Sequence, residues 1–202
     1  MSTVFTLPEP LATEDRGVPP IHVRLNDSIE TIIANNPELK VERTADGEIV
    51  FMSPTGGGSG IRNSELNLQL ALWAKSNGGV VFDSSTLFRL PNGALRSPDA
   101  SWIQTARWQA LTADQREGFP PIAPDLVIEL RSRTDRLIDQ QDKMQEYVSY
   151  GVRLGWLIDP LLKQVHVYKP GEHPVILSDS ASVSDESLLP GFVLDLNRLF
   201  AT

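Results

Sequence analysis

One buried strand that carries a charge constrains this chain more than any other stretch. Residues 124–135 read PDLVIELRSRTD, and the apolar run from Leu126 to Leu130 predicts a strand buried on both faces. Glu129 interrupts that run. Because a carboxylate in a core strand is costly unless a charged group meets it, Glu129 belongs either to an ion pair with a neighbouring arginine or to a metal site at the strand end.

Composition limits the class of protein. The chain has 202 residues, of which 41% are hydrophobic, and we expect a single domain over residues 21–202 after a loosely ordered, proline-containing arm over residues 1–20. The absence of cysteine excludes disulfides, thiolate metal sites and cysteine nucleophiles. A formal charge of −8 argues against a broad basic surface for nucleic acid, but it is compatible with a local basic patch or a bound metal.

Neither end of the sequence nor its interior contains a membrane signal. No apolar run approaches the roughly 20 residues that a membrane helix needs, and the start MSTVFTLPEP lacks the basic and apolar regions of a signal peptide. We therefore expect a cytoplasmic protein without a membrane partner.

The N-terminal third predicts a short helix, a hairpin and a long helix. Asp27 or Ser28 can cap a helix that ends near residue 36, and Asp46-Gly47 supplies the turn of a hairpin between residues 41–44 and 48–52. The glycine cluster at 56–60 lacks the ending of a phosphate loop and is interpreted as a flexible connector. The helix predicted from Ile61 to Ser76 is apolar on two sides, which favours burial of both.

The remainder alternates strands and helices. Residues 96–103, 154–160 and 164–168 are predicted strands, and Thr134 or Asp135 can cap a helix that runs to about Tyr150. The order strand, helix, strand, strand is typical of an α/β protein. The expected architecture is a mixed β-sheet core flanked by helices, with the hairpin and helix at the N-terminus.

Two acids compete to join Glu129. Asp125 lies four residues earlier on the same strand, so the two α-carbons are about 13 Å apart and cannot easily share one ion. Asp99 belongs to another strand, and neighbouring strands are only about 4.8 Å apart. We therefore prefer Asp99, whose alternative role is that of a turn acid after a proline. Two carboxylates with water suit Mg²⁺ or Mn²⁺.

Two cations can complete such a site. Arg131 follows Glu129 by two residues and therefore points to the same face, where it can stabilise charge but cannot accept a proton. Lys143, on the following helix, could instead orient an attacking water. Either cation could also form a structural ion pair with Glu129. Glu65 lies in the first turn of the long helix, where an interaction with the helix dipole competes with a site role.

Three segments in this order resemble a known family. SPDASWI, APDLVIELRSRTD and DKMQEYVSYGVRLGWLIDP are similar to the Uma-type family of restriction-endonuclease-like proteins, a branch of the PD-(D/E)XK nuclease superfamily. The resemblance implies a restriction-endonuclease-like fold, with Asp99 and Glu129 as the motif acids and Glu65 as an added metal ligand. The superfamily lysine belongs at position 131, which is Arg131 here, and Lys143 matches a lysine that similar proteins carry on the following helix.

The resulting hypothesis is a Mg²⁺-dependent endonuclease that hydrolyses DNA. Its catalytic residues would be Asp99, Glu129 and Lys143 or Arg131, with Glu65 also on the metal. A two-fold homodimer would be the simplest way to cut both strands. The alternatives are a nuclease fold kept as an inactive nucleic-acid or protein binding module, and a two-carboxylate hydrolase with another substrate.

Overall fold

A computed structural model describes residues 21–23, 28–36, 39–52 and 54–201, and only the backbone of 21–23. The predicted arm over residues 1–20 lies outside the described residues. In chain order the strands are β1 (Ile21–Val23), β2 (Val41–Arg43), β3 (Ile49–Phe51), β4 (Val80–Asp83), β5 (Phe88–Arg89), β6 (Leu95–Arg96), β7 (Ala100–Ile103), β8 (Leu126–Leu130), β9 (Leu154–Asp159), β10 (Gln164–Tyr168), β11 (Val175–Ser178), β12 (Ser182–Ser184) and β13 (Val193–Asp195). The helices are α1 (Ile29–Asn35), α2 (Gly57–Asn77), α3 (Thr105–Gln109), α4 (Ala113–Glu117), α5 (Leu137–Ser149) and α6 (Asn197–Phe200).

The described strands form two mixed or antiparallel sheets and one small ribbon. The larger sheet has the order β11-β10-β9-β8-β7-β4, the second has the order β1-β3-β2-β6-β5, and β12 pairs with β13. β8 and β9 are parallel, whereas β7 and β8 are antiparallel. A parallel pair needs a crossover, and α5 supplies it between β8 and β9. This mixed sheet flanked by helices confirms the predicted fold class.

β8 is buried on both faces, as its apolar run predicts. Ile128 and Leu130 pack with Leu66 and Leu70 of α2 on one side of the sheet. On the other side, Val127 joins Met144, Tyr147 and Val148 of α5. Because strand side chains alternate, Glu129 and Arg131 share the side of the sheet that α5 covers.

The hairpin and the first helix are as predicted. β2 and β3 pair across a turn in which Gly47 has a φ of 90°, a conformation that favours glycine. Ser28 caps α1 by accepting a hydrogen bond from the Thr31 amide. Residues of both elements form a third apolar cluster: Ile29, Ile32, Val41, Ile49, Leu87 and Leu95.

Three local predictions are wrong. The glycine cluster is no connector, because residues 57–60 form the first turn of α2. α2 is buried on one side only, since Leu68 and Leu72 are 52% and 60% exposed. The N-cap of α5 is Arg136, without a side-chain cap bond, because the Asp135 carboxylate instead accepts a hydrogen bond from the Ser132 amide in the preceding turn.

Candidate active site

Asp99 and Glu129 lie at the same end of two neighbouring strands. Ala100 of β7 pairs with Ile128 of β8, so one step further along the antiparallel pair brings Asp99 opposite Glu129. The Leu130 amide donates to Asp99 Oδ2 at 2.8 Å, which fixes the Asp99 carboxylate beside β8. The structure therefore brings together the two acids that the sequence favoured, here called the carboxylate pair.

The side chain of Asp99 is also held from α2. Asn63 donates to Asp99 Oδ1 at 3.1 Å, and Asn67 donates to the Asp99 carbonyl at 3.0 Å and to Asn63 Oδ1 at 2.9 Å. Burial raises the pKa of Asp99, although the Leu130 amide and the charge of Lys143 oppose the rise. Sequence reasoning missed both asparagines. Their spacing of four residues puts them on one face of a helix, and that was the available signal.

Glu129 is buried, and Lys143 and Tyr147 both contact the same oxygen of its carboxylate. Lys143 Nζ lies 2.8 Å from Oε1, and the Tyr147 hydroxyl donates to the same atom at 2.9 Å. Burial raises the pKa of Glu129 to about 7, the charges of Asp99 and Glu42 add to the rise, and Lys143 opposes it. Burial and the neighbouring acids thus disfavour the charged form of Glu129, and Lys143 offsets this only in part.

Lys143 lies beside Glu129. Lys143 is on α5, on the side of the sheet that this helix covers. Its Nζ lies between Glu129 and a second acid, Glu42, at 2.8 Å from Oε1 of each. Burial would lower the pKa of Lys143, but the charges of Glu129 and Glu42 outweigh it and raise the pKa above its ordinary value. A lysine in this state is charged and serves as a hydrogen-bond donor.

Glu42 is the charged group that sequence reasoning overlooked. It lies on β2 and is 2% exposed, with Arg96 Nη1 at 3.1 Å from Oε2 and the Ser97 amide at 2.8 Å from Oε1. Burial would raise the pKa of Glu42, but the charges of Lys143 and Arg96 lower it overall. The only signal was an acid in a short strand beside two apolar residues, Val41 and the hairpin partner Val50.

Arg131 does not meet the carboxylate pair. It faces the predicted side of β8, but its Nη1 lies 2.8 Å from Asp159 Oδ2 and its Nε donates to the Asp135 carbonyl. Both side chains are buried, at 8% and 0% exposure. The structure therefore gives no support to the expected catalytic role of Arg131, because Arg131 pairs with Asp159, the last residue of β9, and not with Glu129.

Glu65 is also separate from the pair. Gln69 donates to its Oε1 at 3.1 Å, and Arg198 of α6 lies 3.5 Å from its Oε2. Asn63 and Asn67, two residues to either side, are the positions of α2 that reach Asp99. Because two residues correspond to about 200° of rotation, Glu65 faces a different side of the helix. The structure thus gives no support to the expectation that Glu65 joins Asp99 and Glu129.

The pair fits Mg²⁺ by its donor chemistry. No group of three or more His, Asp or Glu side chains within the described residues has the geometry of a complete protein metal site. Mg²⁺ does not need one, since it commonly takes one or two carboxylates and keeps several waters. Burial raises the pKa of both Asp99 and Glu129, and the charge of Asp99 adds to the rise at Glu129, so a cation bound beside them would stabilise their charged forms.

The fold has relatives among solved structures. One is the crystal structure of a "putative nuclease belonging to DUF820" from Anabaena variabilis ATCC 29413, with 22% sequence identity and a TM-score of 0.68. The match covers 80% of this chain and 89% of that chain. At this identity the match defines the fold, which is the α/β fold of restriction-endonuclease-like proteins.

The particular family follows from the sequence. The Uma2 family, described as "Putative restriction endonuclease", matches residues 27–197. The chain therefore belongs to the Uma2 family, as the three sequence segments indicated. No curated protein matches the chain. In the part of the chain that the structure describes, no helix has the length and apolar character required to cross a membrane.

Proposed function

We propose that this protein is a Mg²⁺- or Mn²⁺-dependent endonuclease that hydrolyses DNA phosphodiester bonds. Membership of the Uma2 family supports a nuclease. The observation that carries the finer proposal is the convergence of Asp99 and Glu129 from adjacent strands, with the Lys143 ammonium 2.8 Å from Glu129. An acid pair that could hold a metal, beside a cation that could stabilise negative charge, suits metal-assisted hydrolysis of a phosphodiester.

Each residue has a distinct role in this proposal. Asp99 and Glu129 would hold the metal, while Lys143 and Tyr147 contact Oε1 of Glu129. A metal held there would supply positive charge for the phosphodiester transition state and would lower the pKa of a water molecule bound to it. Lys143 donates a hydrogen bond that orients the attacking water. Because it is protonated, it stabilises negative charge and does not act as the base.

Local basic residues support nucleic acid as the substrate despite the net charge of −8. Arg133 and Arg136 are exposed in the turn that directly follows β8. Lys40 is exposed as well, and its charge acts on Asp99. We expect such side chains to contact backbone phosphates without a broad basic surface.

The direct test is cleavage of supercoiled plasmid DNA. Nicking is expected with Mg²⁺ or Mn²⁺, loss with EDTA, and loss in Asp99→Asn with the fold retained by circular dichroism. RNA, single-stranded DNA and a phosphomonoester in the same assay separate a DNA endonuclease from another two-carboxylate hydrolase. A variant as active as the parent would refute the assignment of Asp99. The elution volume on a sizing column tests the proposed homodimer.

One observation favours the alternative of an inactive binding module. Lys143 and Tyr147 already bind Glu129, and the arginine at the position of the motif lysine is tied to Asp159. If these partners block the metal, calorimetry with Mn²⁺ will show no binding. A titration that saturates near one ion per chain, and is lost in Asp99→Asn, would favour the enzyme.

A further inference from the structure

Lys143 is held by carboxylates from two different sheets. Glu129 belongs to β8 of the six-stranded sheet, and Glu42 belongs to β2 of the five-stranded sheet. Each places Oε1 2.8 Å from Lys143 Nζ, and the three side chains are between 3% and 10% exposed. A single acid would be sufficient to pair one ammonium. The presence of a second carboxylate beside Lys143 therefore needs an explanation.

Two carboxylates restrict an ammonium more than one does. Lys143 has three N–H donors, and Glu42 and Glu129 engage two of them. The third N–H then has a fixed direction, whereas a lysine bound to one acid can rotate about its last bond. With Glu42 absent, the ammonium would bind Glu129 alone and would neutralise the carboxylate that the metal needs.

Glu42 is itself held firmly. Both of its oxygens have donors, since the Ser97 amide binds Oε1 and Arg96 binds Oε2. Ser97 precedes Asp99 by two residues in the segment that leads into β7. Glu42 is thus connected to the segment that carries Asp99 and to the helix that carries Lys143.

We propose that Glu42 is a positioning residue of this site, which holds the Lys143 ammonium at a fixed place and orientation and leaves Glu129 available to the metal. This inference rests on the proposed nuclease function. Glu42 contacts neither substrate nor metal in this proposal and acts through Lys143. The competing explanation is structural: Glu42 would only join the two sheets through Arg96.

A matched pair of variants separates the two explanations. Glu42→Gln keeps the shape of the side chain and removes the negative charge that Glu42 places beside Lys143. Glu146→Gln removes the other carboxylate on Arg96, whose Nε lies 2.6 Å from Glu146 Oε2, but Glu146 binds Arg96 and Asn92 instead of Lys143. Single-turnover nicking of plasmid at saturating Mg²⁺ gives the rate, fluorescence anisotropy of a labelled duplex gives the DNA affinity, and calorimetry gives the Mn²⁺ affinity.

Glu42→Gln is expected to lower the nicking rate and the Mn²⁺ affinity by about 10- to 100-fold, as loss of residues that orient metal-site groups does, with DNA affinity unchanged. Glu42→Asp, which restores the charge, is expected to recover part of both. It also serves as the informative variant if Glu42→Gln does not fold. Glu146→Gln is expected to lose stability but to keep the rate per folded molecule.

Several outcomes would overturn the proposal. A folded Glu42→Gln with the parent's rate and Mn²⁺ affinity would do so, and so would an equal loss in Glu146→Gln, which would leave only the structural role. If the parent protein does not cleave DNA, the proposed nuclease function is wrong. The positioning role of Glu42 is then tested separately, by comparing Lys143 in crystal structures of the parent and of Glu42→Gln. Lys143 Nζ displaced onto Glu129 alone supports positioning, and an unmoved Nζ contradicts it.

Discussion

A buried acid lies near each end of β8, but the two acids have different hydrogen-bond and ion-pair partners. At the first end, Asp125 is ion-paired with Arg107 at 2.8 Å and Arg153 at 3.3 Å on Oδ1, and the Gln104 amide donates to Oδ2. At the other end, Glu129 has a lysine and a tyrosine on one oxygen and two further acids nearby.

Burial alone does not distinguish these two acids. Asp125 is 0% exposed and Glu129 is 5% exposed, so their environments are equally dry. What separates them is compensation. Arginines and a backbone amide satisfy both oxygens of Asp125. At Glu129, burial raises the pKa, Asp99 and Glu42 add to the rise, and Lys143 offsets it only in part, which favours an added cation.

The largest expected difference between the two acids is the effect of their substitution on DNA nicking. Glu129→Gln is expected to lower plasmid nicking by at least about 1000-fold, more than the 10- to 100-fold that residues around a metal ligand cost, because it removes the ligand itself. Asp125→Asn is expected to keep its rate per folded molecule. Nicking normalised to the folded fraction measures both. Equal losses in the two variants would remove the distinction.

The ion pair of Arg131 extends the comparison to stability. Arg131→Met is expected to lower the free energy of unfolding by about 3 kcal/mol, because Asp159 would remain buried without its cation. Urea unfolding gives this value, and nicking per folded molecule should persist at low temperature. A stable Arg131→Met that no longer cleaves would restore a catalytic role to Arg131.

The raised pKa of Glu129 predicts a pH dependence of stability. In the absence of metal, the folded protein binds a proton at Glu129 up to about pH 7, whereas the ordinary pKa is 4.5. This contribution to stability is therefore complete below pH 4.5 and is lost as the pH rises through about 7. Urea unfolding in EDTA at several pH values should show a falling difference between the parent and Glu129→Gln. A constant difference would contradict the shift.

The smallest effect is expected at Glu65. Its ion pair with Arg198 is 3.5 Å long and involves an arginine that is 68% exposed, so Glu65→Gln should change stability by about 0.5 kcal/mol or less. Cleavage should be unchanged, because Asn63 and Asn67 are the residues of α2 that reach Asp99. A large loss of Mn²⁺ affinity in Glu65→Gln would show that the helix acid belongs to the metal site after all.

Predictions from sequence were best where the signal is local. The apolar run of β8 and the Asp-Gly turn of the hairpin each depend on neighbouring residues, and the structure has both. Predictions on helix ends and faces were less good. The exposure of Leu68 and Leu72 was not predictable from the pattern of α2, because an apolar side of a helix is buried only if another element covers it.

The sequence by itself favoured Asp99 over Asp125 as the partner of Glu129, through strand spacing and through the resemblance of its motifs to a known family. It also indicated Lys143 as the replacement for the lysine missing at position 131. Only the tertiary structure decided the partners of each charge: Asp159 for Arg131, Arg198 for Glu65, and Glu42 for Lys143. The Glu42–Lys143 contact joins residues 101 positions apart on separate sheets. Electrostatic pairing depends on distance in space, which local sequence patterns do not encode.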